Sequence, residues 1–164
     1  MPRVALFAST TGYQVREFDS AAAALGVELV LATDRCHMLD DPWADRAVPV
    51  RFDDARFGMP ALIERAPFDG VLAVGDKPAI AAAEAAAALG LRFHPPEAAR
   101  AANDKFLTRE RFRAAGLLVP SYRLVPAEGE PRADRYPCVL KPLHLSASQG
   151  VIRANNAAEF CAAF

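Results

Sequence analysis

The chain has 164 residues, of which 52% are hydrophobic and 24% charged, a balance that suits a folded core and excludes intrinsic disorder. Nineteen basic and 20 acidic residues leave a formal net charge of -1, so no field of one sign exists to hold nucleic acid or a membrane surface. No uninterrupted apolar stretch of about 18 residues is present, which excludes a membrane-spanning helix, and Val4 to Ala8 is too short for a signal-peptide core.

The first ninety residues alternate strand and helix patterns. Arg3 to Ser9 is a continuous apolar run of strand length. An Ala-rich helix over 13–25 follows, with Gly26 where a helix ends. Val27 to Ala32 is a second strand and Ala47 to Phe52 a weaker third. Asp53 or Asp54 is expected to cap a helix running to about Arg65. Phe68 to Gly75 reads as the fourth strand. Asp76 is expected to cap a helix through Leu89, with Pro78 in its first turn and Gly90 at its end. Leu91 to His94 reads as a short fifth strand before Pro95-Pro96. Continuous apolar strands separated by helices predict a parallel sheet covered on both faces, which is a Rossmann-like α/β arrangement.

After Pro96 the texture changes. A short helix over 97–102 precedes a second helix, capped by Asn103 or Asp104, which ends at Gly116 before Pro120. Ser121 to Val125 reads as a strand, 126–135 as a turn-rich segment, and 136–141 as a strand. A small-residue loop, 143–150, leads to a last strand over 151–154. A helix capped by Asn156 carries Phe160 and Phe164 on one face at i,i+4 spacing. That face asks for a partner, and the helix holds about two turns, which is marginal alone. The expectation is therefore an N-terminal fragment of a longer protein, with domains at 1–95 and 96–164.

Composition adds a pointer. There are 35 Ala and 16 Arg but only three Lys, namely Lys77, Lys105 and Lys141. Against such a bias, a retained lysine marks a position where a compact ammonium matters. Lys105 opens a helix. Lys141 ends a strand and is followed at once by Leu143-His144-Leu145-Ser146-Ala147-Ser148-Gln149-Gly150. Backbone N–H groups and the hydroxyls of Ser146 and Ser148 in such a loop can approach phosphate oxygens. Two cations from separate elements can bracket a polyphosphate.

At NDK…TRERFRAAGLLVP, YPCVLKP, SASQGV and NNAAEF, in that order, the sequence resembles the ATP-grasp ligases, and the resemblance covers essentially the whole chain. The texture is nearest to the carbamoyl-phosphate synthase, biotin carboxylase and amino-acid ligase branch. The resemblance implies a pre-ATP-grasp Rossmann-like domain followed by a truncated α+β lid subdomain. It implies ATP as the nucleotide and Mg2+ with it. Lys105 and Lys141 would contact its phosphates, and Ser146, Ser148, Gln149 and Gly150 would fold over them. The loop departs from the pattern in having one glycine, and Gln149 stands where Arg is half expected. The magnesium ligands and an Arg near the transferred phosphoryl group are implied downstream of Phe164, so no catalytic and no metal-binding residue is assigned here and the fragment itself is expected to be inactive.

Ligands of parallel sheets sit beyond the carboxyl ends of the strands. Thr10, Thr11, Gly12, Gly75 and Asp76 are accordingly candidates for a small-molecule second substrate, Asp76 also being a helix cap. Lys77 reads as a surface cation. His37, His94 and His144 are scattered, and none is read as catalytic. Phe106 and Phe112 read as core. Cys36, Cys138 and Cys161 lack CxxC spacing and read as free thiols in a reducing cytoplasm, two of them buried. Two other classes compete with a ligase. A dinucleotide oxidoreductase is disfavoured because STTGYQ lacks GxGxxG. A non-catalytic nucleotide-binding or dimerisation module, a homodimer through the Phe face, is the alternative. No nucleic-acid or membrane partner is expected.

Overall fold

The computed structural model describes residues 1–9, 14–34, 43, 46–54, 56–128 and 131–164. The chain forms two compact units, Met1–Arg100 and Ala101–Phe164.

The first unit holds β1 (Arg3–Ala8), α1 (Val15–Leu25), β2 (Glu28–Thr33), β3 (Ala47–Pro49), α2 (Met59–Ile63), β4 (Gly70–Val74) and α3 (Asp76–Ala88). Its sheet has the order β3-β2-β1-β4, and every pairing is parallel. Leu6 faces Leu31 on one side and Leu72 on the other, which fixes the register. The central strands β1 and β2 are apolar on both faces because both faces are covered, whereas Leu72 of the edge strand β4 remains 42% exposed. Ala5 and Phe7 turn toward Ala81, Ala82, Ala85 and Ala86 of α3, where a ridge without branched side chains permits close approach. Leu6 and Ala8 turn the other way, with Leu31, Ala22 of α1 and Trp43. Phe7, Leu6 and Leu31 are almost wholly buried, and a Phe7→Ala cavity would cost roughly 3–5 kcal/mol.

Several expectations need correction here. Asp53 and Asp54 do not cap α2. Its N-cap is Gly58, whose φ of 83° a side chain would resist and whose Cβ, if added, would lie 1.9 Å from the Pro49 carbonyl oxygen. Asp54 instead bonds Arg56, whose guanidinium hydrogen bond holds the Asp54 carboxyl below its ordinary range. Asp76 is the first residue of α3, not its cap; Gly75 is the cap, with no side-chain hydrogen bond. The predicted strand over 91–94 is irregular backbone. Leu91 and Phe93 pack on the core without a ladder partner, and Pro95-Pro96 supplies no N–H for one.

The junction helix α4 (Pro96–Asn103) leads into the second unit. There α5 (Lys105–Ala114) is followed by β5 (Cys138–Leu140), β6 (Ile152–Ala154) and α6 (Ala157–Ala163). β5 and β6 form an antiparallel pair, Val139 opposite Arg153. Residues 121–125 form no strand. Side chains hold them instead: the Tyr122 hydroxyl donates to Glu110, its ring meets Phe106 edge-on at 5.9 Å, and Arg123 pairs with Asp134 at 3.0 Å. Phe160 is 3% exposed and packs edge-on to Tyr136, so the expected unpartnered face is half filled from within the unit. Phe164 stacks on Phe160 but remains half exposed. Phe112 is also exposed rather than core. Cys138 is half-buried and Cys161 exposed, both free, so the expectation of two buried thiols fails; Cys36 lies outside the described residues.

No helix among the described residues is long and apolar enough to cross a membrane.

Candidate functional site

The second unit contains a cleft of about 420 Å³, within the range of small-molecule sites. One wall is α5. Asp104 sets where that wall begins, because its Oδ1 accepts from the N–H groups of Phe106 (2.8 Å) and Leu107 (2.9 Å). Lys105, Thr108, Arg109 and Phe112 then follow at helical spacing on the face that lines the cleft. The cleft is also lined by Leu118, Val119 and Pro120, which follow the turn at Gly116, and by Lys141, which follows β5.

Three cations thus line one cleft, and no carboxylate lines it. Nor does any of the three form an ion pair among the described residues. Nearby carboxylates are committed elsewhere. Asp104 caps the helix, with His144 Nε2 4.0 Å from its other oxygen. Glu110 accepts from Tyr122 and pairs with Arg113. The tyrosine hydroxyl is the larger cause that holds the Glu110 carboxyl below its ordinary range, and the same bond pushes the Tyr122 phenol up. Lys105 and Arg109 stand at i,i+4, where like charges destabilise a helix by about 0.2–0.5 kcal/mol. An anion in the cleft would offset that repulsion.

Lys105 is not idle without an anion. Its ammonium donates to the carbonyl of Leu143 at 3.2 Å and to that of Leu145, and its backbone N–H donates to Leu143 at 3.3 Å. The residue therefore ties the start of α5 to the loop that follows Lys141. An ammonium has three N–H donors, so one remains for a ligand.

That loop turns sharply. The Gln149 N–H donates to the Ser146 carbonyl at 3.1 Å and the Val151 N–H to Ser148 at 3.2 Å. The two central residues of the first turn, Ala147 and Ser148, have φ of 51° and 60°. Left-handed backbone is unfavourable for residues with a Cβ, and strain of this kind clusters at ligand-binding segments. Gly150, at φ 66°, could not carry a Cβ without coming within 2.7 Å of Pro142. The hydroxyls of Ser146 and Ser148 lie in an exposed segment.

Of the residues singled out from sequence, Lys105 and Lys141 share the cleft, and Ser146, Ser148, Gln149 and Gly150 form the loop tied to Lys105. Gly75 and Asp76 lie in the other unit, where β4 passes into α3. Thr10, Thr11 and Gly12 fall outside the described residues. Arg109 was given no role from sequence, although its four-residue spacing from Lys105 was the signal. Phe112 was misplaced in the core because its apolarity alone does not distinguish a core face from a cleft wall. No cluster of three His, Cys, Asp or Glu side chains that could hold a metal ion occurs among the described residues.

Comparison with known proteins agrees with this architecture. Residues 18–92 match the ATP-grasp N-terminal domain family. An ATP-grasp enzyme, fsqD of Aspergillus fumigatus, is 27% identical over 157 residues, covering 89% of this chain and 27% of that protein. The crystal structure of an L-amino acid ligase from Bacillus licheniformis superposes with a TM-score of 0.79 at 23% identity, over 99% of this chain and 41% of that one. Phosphoribosylglycinamide synthetase from Anaerococcus prevotii gives a TM-score of 0.62 at 17% identity, over 96% and 40%. The chain thus spans about a quarter of the length of its curated relative and two fifths of these solved structures. Its parallel four-stranded α/β unit shares its fold with these solved structures, and the residues that match the family lie within that unit.

Proposed function

We propose that this chain is the nucleotide-binding N-terminal part of an ATP-dependent ligase that joins a carboxylate to an amine or related nucleophile. The observation that carries the reading is the cleft with Lys105, Arg109 and Lys141 and no carboxylate, beside a small-residue loop. The fold shared with ligases supports it.

In such a reaction ATP transfers its terminal phosphoryl group to a carboxylate oxygen. The nucleophile then attacks the acyl carbon and expels phosphate. The part this chain plays is electrostatic. Lys141, without an ion-pair partner among the described residues, offsets the charge of the bound phosphates from the strand side. The remaining N–H of Lys105 does so from the helix side. Backbone N–H groups and the two serine hydroxyls of 146–150 close over the phosphates and exclude water. Magnesium would arrive with the nucleotide and spread its charge further. The apolar wall of Phe112, Leu118 and Val119 offers contact to the less polar end of a nucleotide.

Calorimetric titration of the chain with magnesium–ATP tests the proposal. Lys141→Ala is expected to weaken binding by at least about tenfold, the effect of removing a charge-assisted contact. Equal affinity in the variant would overturn the assignment of Lys141.

A further inference from the structure

Among the three cations of the cleft, Arg109 differs in how it is held. Its guanidinium lies over the ring of Tyr122, 5.4 Å from the centroid. Tyr122 is itself fixed twice, by Phe106 edge-on and by its hydroxyl bond to Glu110. A ring contact restrains the guanidinium without using its N–H groups, because the attraction runs to the face of the ring. The Arg109 guanidinium forms no ion pair or hydrogen bond among the described residues, although Glu110 is its neighbour in sequence; that carboxylate is taken by Tyr122 and Arg113. The result is a half-buried, pre-positioned guanidinium with its planar donor fork available, one helical turn from Lys105 and in the same cleft as Lys141. Lys105, by contrast, spends two of its three donors on the carbonyls of Leu143 and Leu145.

We propose that Arg109 is a further polyphosphate-binding residue of this cleft, its guanidinium fork taking two oxygens of a nucleoside triphosphate, with Tyr122 as the residue that positions it. This rests on the nucleotide reading above and deepens it. A planar fork matches phosphate geometry, whereas an ammonium acts as a point charge. The division of labour follows: Lys105 mainly holds the loop, while Arg109 and Lys141 carry most of the charge recognition. A ligand with several negative charges is selected over a nucleoside monophosphate.

The test is calorimetric titration of the whole chain with magnesium–ATP, AMP and inorganic tripolyphosphate. Arg109→Ala is expected to weaken ATP and tripolyphosphate by at least about tenfold and to leave AMP within about twofold. Arg109→Lys keeps the charge and the stem but loses the fork, and is expected to weaken ATP by about threefold to tenfold. Tyr122→Leu should weaken ATP by a few-fold; Tyr122→Phe, which keeps the ring but releases one Glu110 oxygen, should weaken it less than Tyr122→Leu does. Circular dichroism checks that each variant is folded; should Arg109→Ala fail that check, Arg109→Lys decides. Wild-type chain that binds ATP, with Arg109 variants that bind it equally well, overturns the role of Arg109 and leaves the nucleotide reading standing. Wild-type chain that binds neither ATP nor tripolyphosphate overturns both.

Discussion

Replacing Lys105 by methionine keeps the length and apolar bulk of the stem and removes the ammonium. Two hydrogen bonds are lost, to the carbonyls of Leu143 and Leu145, while the backbone bond from residue 105 to Leu143 persists. A hydrogen bond to a charged group contributes roughly 1.5–3 kcal/mol when sheltered from water. Lys105 is half-buried and Leu145 is exposed, so water competes for both partners and the pair is discounted to about 1–2 kcal/mol in total. That free energy favours the closed loop over its open states. Its loss should raise the open population about 5- to 30-fold. Hydrogen exchange read by mass spectrometry on a peptide covering 143–151 measures this directly, because Gln149 and Val151 donate the turn's hydrogen bonds. Exchange there should speed up by that factor, and a peptide covering β1 should not change. Equal exchange in variant and wild type would show that Lys105 does not hold the loop, and the division of labour between Lys105 and Arg109 would fail with it.

Three further outcomes are expected. Asp104→Ala should lower stability by about 1 kcal/mol, with most of the loss recovered in Asp104→Asn, because the carboxylate oxygen caps the first turn of α5; urea unfolding measures it. Gly58→Ala should cost about 3 kcal/mol or more, since the new Cβ meets the Pro49 carbonyl and a positive φ; a thermal midpoint close to wild type would contradict the close approach described there. Glu159 is held below the ordinary glutamate range by the Asn155 backbone N–H first, and then by the Asn155 side chain. A depressed carboxyl stabilises the folded chain above its ordinary pKa and loses that contribution as pH falls through the folded value. The start of α6 should therefore loosen as pH falls below the ordinary glutamate range, and Glu159→Gln should flatten the pH dependence; NMR amide shifts at 155–160 report it.

Much of the fold was legible because it rests on local patterns. The runs at 3–8, 28–33 and 70–74 are apolar on both faces and bounded by helices with glycine stops, which leaves a parallel sheet as the natural outcome. Gly26, Gly90 and Gly116 end their helices at positive φ as their positions suggested. Asp104 and Asn156 cap as read, since an acceptor side chain before an apolar-periodic run has few other uses. What failed depends on distant partners. Residues 91–94 and 121–125 have strand-like composition, but a strand exists only if another edge accepts it. Gly58 could not be recognised as a cap, because its reason lies in the Pro49 carbonyl of a different segment.

The site was legible in part for the same reason. Rarity of lysine drew attention to Lys105 and Lys141, and both line the cleft. Nothing in the sequence showed that Lys105 would bond the carbonyls of Leu143 and Leu145, since that contact joins positions some forty residues apart. Arginine is common here, so composition gave Arg109 no distinction. Only its place over Tyr122 and the diversion of Glu110 set it apart.

The most direct test of the central claim is amide NMR of the chain with and without magnesium–ATP. The account predicts that the largest shifts fall at 102–109, 118–119, 141 and 143–150, around the cleft and its loop. Shifts absent there, or confined to the sheet of the first unit, would contradict it.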